Sequence, residues 1–274
     1  MRTRIISGTV IAAVLFCVFF IGGYALGAFC FAIAMIAYYE LTKACGVCNN
    51  EKKIGLLQIA GFAVIAAYYV ILLMKVNVDV MFCALIAVIF IIAELIIYVF
   101  SFPKYKASQV FAAIFSVIYA PLLISFLYLI DASSEYGIYF LLLVLGASAG
   151  CDVAAYFVGV TLGKHKMTPI LSPKKTIEGG IGGLLGAAVC STIIGIVMYA
   201  NGIGDVTLIV KCALIGLIGG VLSEIGDLAA SGIKREFGIK DYGNLIPGHG
   251  GIMDRVDSII VVAPFVYFAI NMFI

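Results

Sequence analysis

The chain has 274 residues, of which 64% are hydrophobic and only 12% are charged, with a formal net charge of +2 and no tryptophan. A mean hydropathy of +1.19 excludes an ordinary soluble domain. These values predict an all-α, polytopic integral membrane protein, organised as one membrane domain over residues 1–274.

Nine apolar runs approach the length of about 20 residues that a helix needs to cross the hydrocarbon core. They lie near 5–22, 24–43, 54–74, 78–100, 108–130, 137–160, 177–199, 206–228 and 257–273. Only Gly22 and Gly23 with Tyr24 separate the first two, so eight spans is the alternative. We expect the first run to be retained rather than cleaved as a signal peptide, because it continues into the next run without a clear cleavage site.

The basic residues are distributed unevenly between the loops. If nine helices alternate, all of the 17 Lys and Arg residues except Lys75 and Lys211 fall on one side. The positive-inside rule then places the N-terminus in the cytoplasm and the C-terminus outside. We therefore expect a multi-pass protein of the plasma or inner membrane, with its active site facing the cytoplasm.

The two halves of the chain differ in character. Residues 1–130 are mainly apolar helix and are expected to be scaffold, serving as a lipid-facing or homodimer surface. The catalytic half, 137–274, carries two long polar loops, 161–176 and 232–256, on the predicted cytoplasmic side. The Cys45-x-x-Cys48 pair lacks metal-binding partners nearby and is expected to be a plain loop.

Carboxylates lie near the predicted cytoplasmic ends of several spans. They are Glu40, Glu94, Asp152, Glu224 and Asp227, and Asp254 and Asp257 open the last span. A transporter more often places such groups near the middle of the membrane. Their common depth therefore predicts an active site that opens to the cytoplasm.

The spacing of these acids indicates two acidic helix faces. Glu224, Asp227 and Ser231 are three and four residues apart and share one face, and Asp254 and Asp257, three apart, are predicted to share another. Two such faces would suit Mg²⁺, or two cations, because hard cations prefer oxygen ligands. The alternative is ion pairing with the basic residues of the same region, Lys234, Arg235 and Arg255.

Residues Ser231–Asp257 carry the most specific pattern, SGIKREFGIKDYGNLIPGHGGIMDRVD. Its polar and glycine positions resemble the signature of the phosphatidate cytidylyltransferases, or CDP-diacylglycerol synthases. The glycine-rich turn 247–251 leads into the last helix, where backbone amides can approach a phosphate. The alternative for the basic residues is anchoring against anionic lipid headgroups.

A second segment, 152–179, resembles another part of that family, with the pattern DxxAYxxG, then GK, then SPKKTxEG. Ser172 followed by Pro173 predicts a helix start, with Ser as the cap and Pro in the first turn. Lys174 and Lys175 beside that helix end would form an anion site. The spacing is not that of a P-loop. Glycines four apart in the following span predict close helix packing.

The resemblance implies transfer of the cytidylyl group of CTP to phosphatidic acid, giving CDP-diacylglycerol and pyrophosphate in phospholipid biosynthesis. It implies CTP, phosphatidic acid and membrane lipids as partners, rather than nucleic acid, and Mg²⁺ as cofactor. The implied catalytic residues are Lys234, Arg235, Lys240, Asp241, His249 and Arg255. The implied substrate-binding residues are Asp152, Tyr156, Lys164, Ser172, Lys174, Lys175, Thr176, Glu178, Ser231, Gly250 and Gly251. The implied metal ligands are Glu224, Asp227, Asp254 and Asp257.

Other functions remain open from the residues alone. A CTP-dependent lipid kinase, or a cytidylyltransferase for another lipid phosphate, would use the same metal and phosphate groups. An anion or lipid transporter belongs to a different class, and the clustering of ionisable groups on one side argues against it.

Overall fold

A computed structural model describes residues 2–47, 54–75 and 80–274. Cys48, Lys52 and Lys53 lie outside the described residues, as does the beginning of the predicted span 78–100. The chain divides into two compact units. The first unit contains Met1–Ser125 and Phe237–Asp254, and the second contains Phe126–Glu236 and Arg255–Ile274.

Apolar helices make up most of the first unit. They are α1 (Arg2–Ile21), α2 (Gly23–Ala44), α3 (Leu56–Leu73), α4 (Val80–Phe100) and α5 (Ala107–Val117), followed by a π-helical turn (Ile118–Leu122). Between α1 and α2 the backbone has φ of 61° at Gly22 and 51° at Gly23, values that side chains disfavour but glycine accepts. The first two apolar runs are therefore separate helices.

The second unit contains the longer helices and the only strands of the described residues. After α6 (Leu123–Ser133), which begins in the first unit, come α7 (Gly137–Leu162), β1 (Lys166–Thr168), β2 (Ser172–Thr176), α8 (Ile177–Ala200) and α9 (Thr207–Glu236). The chain ends with α10 (Met253–Val256), which spans the boundary between the units, and α11 (Ile259–Phe273). The two strands form an antiparallel hairpin in which Thr168 lies opposite Ser172.

Six helices of the described residues are long and apolar enough to cross a membrane. They are Gly23–Ala44, Leu56–Leu73, Ala107–Ser133, Gly137–Leu162, Ile177–Ala200 and Thr207–Glu236. Shorter apolar helices cover Ser7–Ile21, Ala84–Phe100 and Ile259–Phe273. The predicted class, a helical multi-pass membrane protein, is confirmed, with the small hairpin as its exception. The prediction of a single membrane domain stays a prediction.

Pro121 explains why the span Ala107–Ser133 is irregular. Proline has no N–H, and its ring clashes with the carbonyl one turn earlier, so the helix widens locally into a π-turn. The carbonyl of Pro121 accepts a hydrogen bond from the Tyr69 hydroxyl at 3.0 Å. A side chain from α3 therefore uses a backbone acceptor in the widened turn.

Glycines bring α7 and α8 close together in the second unit. A Cβ on Gly186 would overlap the Ala154 side chain and lie 3.1 Å from the carbonyl oxygen of Gly150. A Cβ on Gly182, four residues earlier, would lie 2.5 Å from a Val158 methyl. The predicted packing through small residues four apart is confirmed.

We expect Gly186→Ala to lower the thermal stability of the protein in detergent, because overpacking a close contact costs about 1–3 kcal/mol. Gly232→Ala is the matched control. Of the residues that the structure describes, its added methyl would meet only the Leu171 side chain, at 3.7 Å, which is an ordinary contact. Alanine also favours a helix over glycine. Equal melting temperatures for the two variants would contradict the close packing.

Candidate functional site

The second unit contains a cluster of charged side chains centred on Lys175. Its ammonium donates to Glu224 Oε2 at 2.6 Å and lies 2.7 Å from Asp227 Oδ2. Glu224 and Asp227 are one turn apart on α9, so the predicted shared face exists. One cation from the hairpin therefore bridges two acids of one helix.

Lys175 and Lys174 have opposite environments because side chains alternate along a strand. Lys174 is exposed, whereas the Lys175 side chain is only 21% exposed. Burial by itself would lower the pKa of Lys175, but the charges and hydrogen bonds of Asp227 and Glu224 raise it above its ordinary value. Lys175 therefore stays protonated, and it neutralises the two acids in a setting with little water.

Two more acids surround this pair within the second unit. Asp257 interacts electrostatically with Asp227, Lys234 and Asp152. Asp257 is 9% exposed, whereas Asp152, on α7, is exposed. Asp152 on α7 and Asp257 in the turn before α11 therefore lie within electrostatic range of the acids of α9.

The close approach of Asp257 to α9 depends on Gly226. A Cβ on Gly226 would lie 2.6 Å from the carbonyl oxygen of Asp257 and 3.2 Å from the Cα of Ser258. Any side chain there would push the turn away from α9. The glycine next to Asp227 in sequence therefore allows Asp257 to reach the cluster.

The prediction that Asp254 and Asp257 share one helix face is wrong. Helix α10 ends at Val256, and Asp257 lies in a turn before α11 begins at Ile259. Asp257 Oδ1 accepts the backbone N–H of Ser258 at 2.9 Å, and such a local bond competes with helical pairing. Asp254 belongs to the first unit and Asp257 to the second.

The predicted helix start at Ser172 and Pro173 is also wrong. Both residues lie in β2, and α8 begins at Ile177 with Thr176 as its N-cap. Thr176 Oγ1 accepts the N–H of Gly179 at 3.2 Å. Strand pairing outweighed the Ser-Pro signal, and proline is tolerated because each strand of a two-stranded hairpin has a free edge.

Glu178 ties the start of α8 to the loop that precedes the hairpin. Its carboxylate accepts the backbone N–H of Lys164 at 3.1 Å and lies 2.6 Å from His165 Nδ1. The side chains of Lys164 and Tyr156 are exposed. His165 is not among the predicted site residues, because it lies between two lysines without a motif of its own.

In the first unit, the signature loop 241–254 is closed around Asp254. Asp254 Oδ2 accepts the N–H of Tyr242 at 2.8 Å and that of Gly251 at 3.0 Å. Gly248 and Gly250 have φ of 79° and 83°, which allows the tight turn that brings Gly251 to this oxygen. Asp254 itself is 8% exposed.

Two further residues of the first unit contact this loop. Glu40 accepts the N–H of Ile252 at 3.1 Å and that of Met253 at 2.8 Å. Ser7 Oγ lies 2.8 Å from His249 Nδ1 and donates to the carbonyl of Pro247 at 3.1 Å. From the sequence, Glu40 is one of several acids near helix ends, and no motif marks a role for it or for Ser7.

The remaining predicted site residues differ in exposure. Ser231 is buried on α9. Arg235 is exposed, and its Nε donates to the carbonyl of Leu171 at 3.3 Å. Exposed side chains are also found at Lys240, Asp241 and Arg255.

Comparison with known proteins identifies the family. The family model described as "Cytidylyltransferase family" matches residues 2–273. The chain belongs to the cytidylyltransferase family. It is 34% identical to a phosphatidate cytidylyltransferase of Staphylococcus saprophyticus over 96% of both chains. It is 30% identical to one of Bacillus subtilis over 100% of this chain and 98% of that one.

The acidic residues of this cytidylyltransferase-family protein have the donor chemistry that Mg²⁺ prefers, since all are carboxylates. Among the described residues, however, no group of three or more His, Cys, Asp or Glu side chains is arranged to hold a metal ion. The Lys175 ammonium bridges Glu224 and Asp227, the position that a metal cation would take between two carboxylates. Glu224 and Asp227, as a pair, fit a cation by their charge and their oxygen donors.

We expect Lys175→Met to lower the unfolding free energy of this protein by about 3 kcal/mol, because it leaves the buried Glu224 and the half-buried Asp227 without their cation. Adding Glu224→Gln should restore part of that loss. Lys166→Met, at an exposed position of the same hairpin, is the control and should leave the melting temperature unchanged. A double variant no more stable than Lys175→Met would argue against the ion pair.

Proposed function

We propose that this chain transfers the cytidylyl group of CTP to phosphatidic acid, giving CDP-diacylglycerol and pyrophosphate. The main support for this proposed reaction is the match of the family model to residues 2–273. Relatives named phosphatidate cytidylyltransferase cover nearly the whole chain at 30–34% identity. A membrane protein suits this reaction, because one substrate is a lipid and the other arrives from water.

In the proposed reaction, a phosphate oxygen of phosphatidic acid attacks the α-phosphorus of CTP. The new P–O bond forms as the bond between the α-phosphorus and its bridging oxygen to the β-phosphate breaks, and pyrophosphate leaves. The nucleophile is already an ionised phosphate, so no strong general base is required. Catalysis therefore depends on positioning and on neutralising charge.

The charged residues of the second unit have distinct roles in this proposal. Lys175 pairs with both Glu224 and Asp227 and holds the two carboxylates adjacent. Lys234, Arg235 and Arg255 neutralise phosphates, for which arginine offers bidentate hydrogen bonds and lysine a compact charge.

We propose Mg²⁺ as the cofactor of this cluster. Glu224 and Asp227, one turn apart on α9, would hold it, because Mg²⁺ usually takes one or two carboxylates and fills its other positions with water and phosphate. Asp257, within electrostatic range of Asp227, is the next candidate. When bound, Mg²⁺ supplies positive charge to the nucleotide phosphates. The metal role of Asp254, in the first unit, stays a prediction, as do a second cation and a homodimer.

The proposed topology places nine spans in the plasma or inner membrane, with the active site facing the cytoplasm. The asymmetry of Lys and Arg between loops supports it. The hairpin that carries Lys175 and the polar loop 232–256 then lie on the cytoplasmic side, where CTP is available.

Alkaline phosphatase, which is active only outside the cytoplasm, tests this topology. Fusions after Gly202 and after Ile274 should be active, whereas a fusion after Ile170 in the hairpin should be inactive. An active hairpin fusion, or an inactive C-terminal one, would contradict the proposed orientation.

Labelled CTP separates the proposed reaction from its alternatives. With purified protein, phosphatidic acid and Mg²⁺, label from the α-phosphate should enter the lipid and label from the γ-phosphate should leave with pyrophosphate. A lipid kinase would give the opposite pattern. A transporter would move substrate across liposomes without consuming CTP.

The same assay with variants tests the acidic cluster. Asp227→Asn should reduce transfer by at least about 100-fold, since it removes a charge that the reaction depends on. Glu236→Gln is the matched control, because Glu236 is exposed near the end of the same helix and should retain full activity. Full turnover by Asp227→Asn would remove the proposed role of this residue.

A further inference from the structure

Glu40 is a buried acid in the apolar helix α2, far in sequence from the signature loop that it contacts. It is 5% exposed. A carboxylate in an apolar helix is costly and is usually retained for a function. Its contacts therefore need an explanation beyond scaffold packing.

The two oxygens of Glu40 bind two consecutive backbone amides. Oε1 accepts the N–H of Ile252 at 3.1 Å, and Oε2 accepts that of Met253 at 2.8 Å. These two amides immediately precede Asp254 and begin α10. The carboxylate therefore fixes the backbone from which the Asp254 side chain extends.

Two glycines of the same loop make room for Glu40. A Cβ on Gly243 or on Gly251 would overlap the Glu40 carboxyl group. Residues on both sides of the turn 246–250 therefore lie against this carboxyl group. The two glycines therefore make space for this particular side chain. Loose packing of a helix against a loop would not require such a fit.

Asp254 completes the arrangement from inside the loop. Its Oδ2 accepts the N–H groups of Tyr242 and Gly251, and it lies within electrostatic range of Glu40. Two acids are thus held near each other by four backbone N–H groups. Because each N–H is a directed donor, the arrangement sets the position of Asp254 as well as its charge.

We propose that Glu40 is a positioning residue for the signature loop. It holds Ile252 and Met253, and through them Asp254 and the turn 247–251, in the conformation that cytidylyl transfer requires. This role rests on the proposed function. Glu40 itself need not touch either substrate.

Glu40→Gln is the sharpest test, because it keeps the shape but offers only one acceptor and turns an NH₂ group toward the second amide. Amide hydrogen exchange in the peptide 242–254, measured in detergent without CTP, lipid or Mg²⁺, should become roughly tenfold faster or more. The value of kcat per folded molecule should fall about 10- to 100-fold, as for other residues that orient a functional group. The KM values should change by less than about threefold.

Glu94→Gln is the matched control. Glu94 is also a buried glutamate of an apolar helix in the first unit, at 0% exposed. Within the described part of the chain, neither of its oxygens has a hydrogen-bond partner. This variant should leave exchange in 242–254 and kcat per folded molecule as in the wild type. The comparison separates loss of the loop contact from loss of any buried carboxylate.

A Glu40→Gln protein with wild-type exchange in 242–254, or with a lower melting temperature but unchanged kcat per folded molecule, would overturn the positioning role. A wild type that makes no CDP-lipid would instead overturn the proposed function and, with it, the catalytic part of this role. The exchange measurement uses no substrate, so these two failures are distinguishable.

Discussion

The second unit depends on one ammonium group held between two carboxylates of a membrane helix. Charges are expensive to remove from water, and they are tolerated when paired at hydrogen-bond distance. Lys175 meets this condition for both Glu224 and Asp227. The pairing also attaches the hairpin to α9, so the contact that neutralises the acids connects the polar loop to the helices.

Small residues are what allow α9 to carry its acids so close to its neighbours. A Cβ on Gly220 would lie 3.0 Å from the Ala187 side chain, and one on Gly219 would lie 2.8 Å from that of Ala147. Gly226 likewise allows the turn at Asp257 to lie close to α9. In a membrane there is no hydrophobic force between helices, so close contact of this kind supplies the packing energy.

The partners of the acidic side chains differ between the two units. In the second unit the acids are balanced by basic side chains, whereas in the first unit Glu40 and Asp254 are held by backbone N–H groups. Side-chain cations can move away when a substrate or metal ion arrives, but backbone amides of a closed loop cannot do so without unfolding the loop. Pairing with side-chain cations suits a site whose charge changes during a reaction. Binding by backbone N–H groups suits residues that hold a loop in one conformation.

The sequence by itself determined the class of protein, the helix positions and the family. Apolar runs and basic loops follow from the energy of transfer into lipid, which is a local property of composition, and the spacing of Glu224 and Asp227 predicts their shared face because helices are regular. Tertiary structure decided what the local patterns could not. Pairing with β1 placed Ser172 in a strand instead of a helix, and Asp257 falls in a turn and not in a helix. Glu224 is 49 residues from Lys175, and Met253 is 213 residues from Glu40. These pairings were set by long-range packing, because spacing along the chain carries no information about which distant groups will share a buried site.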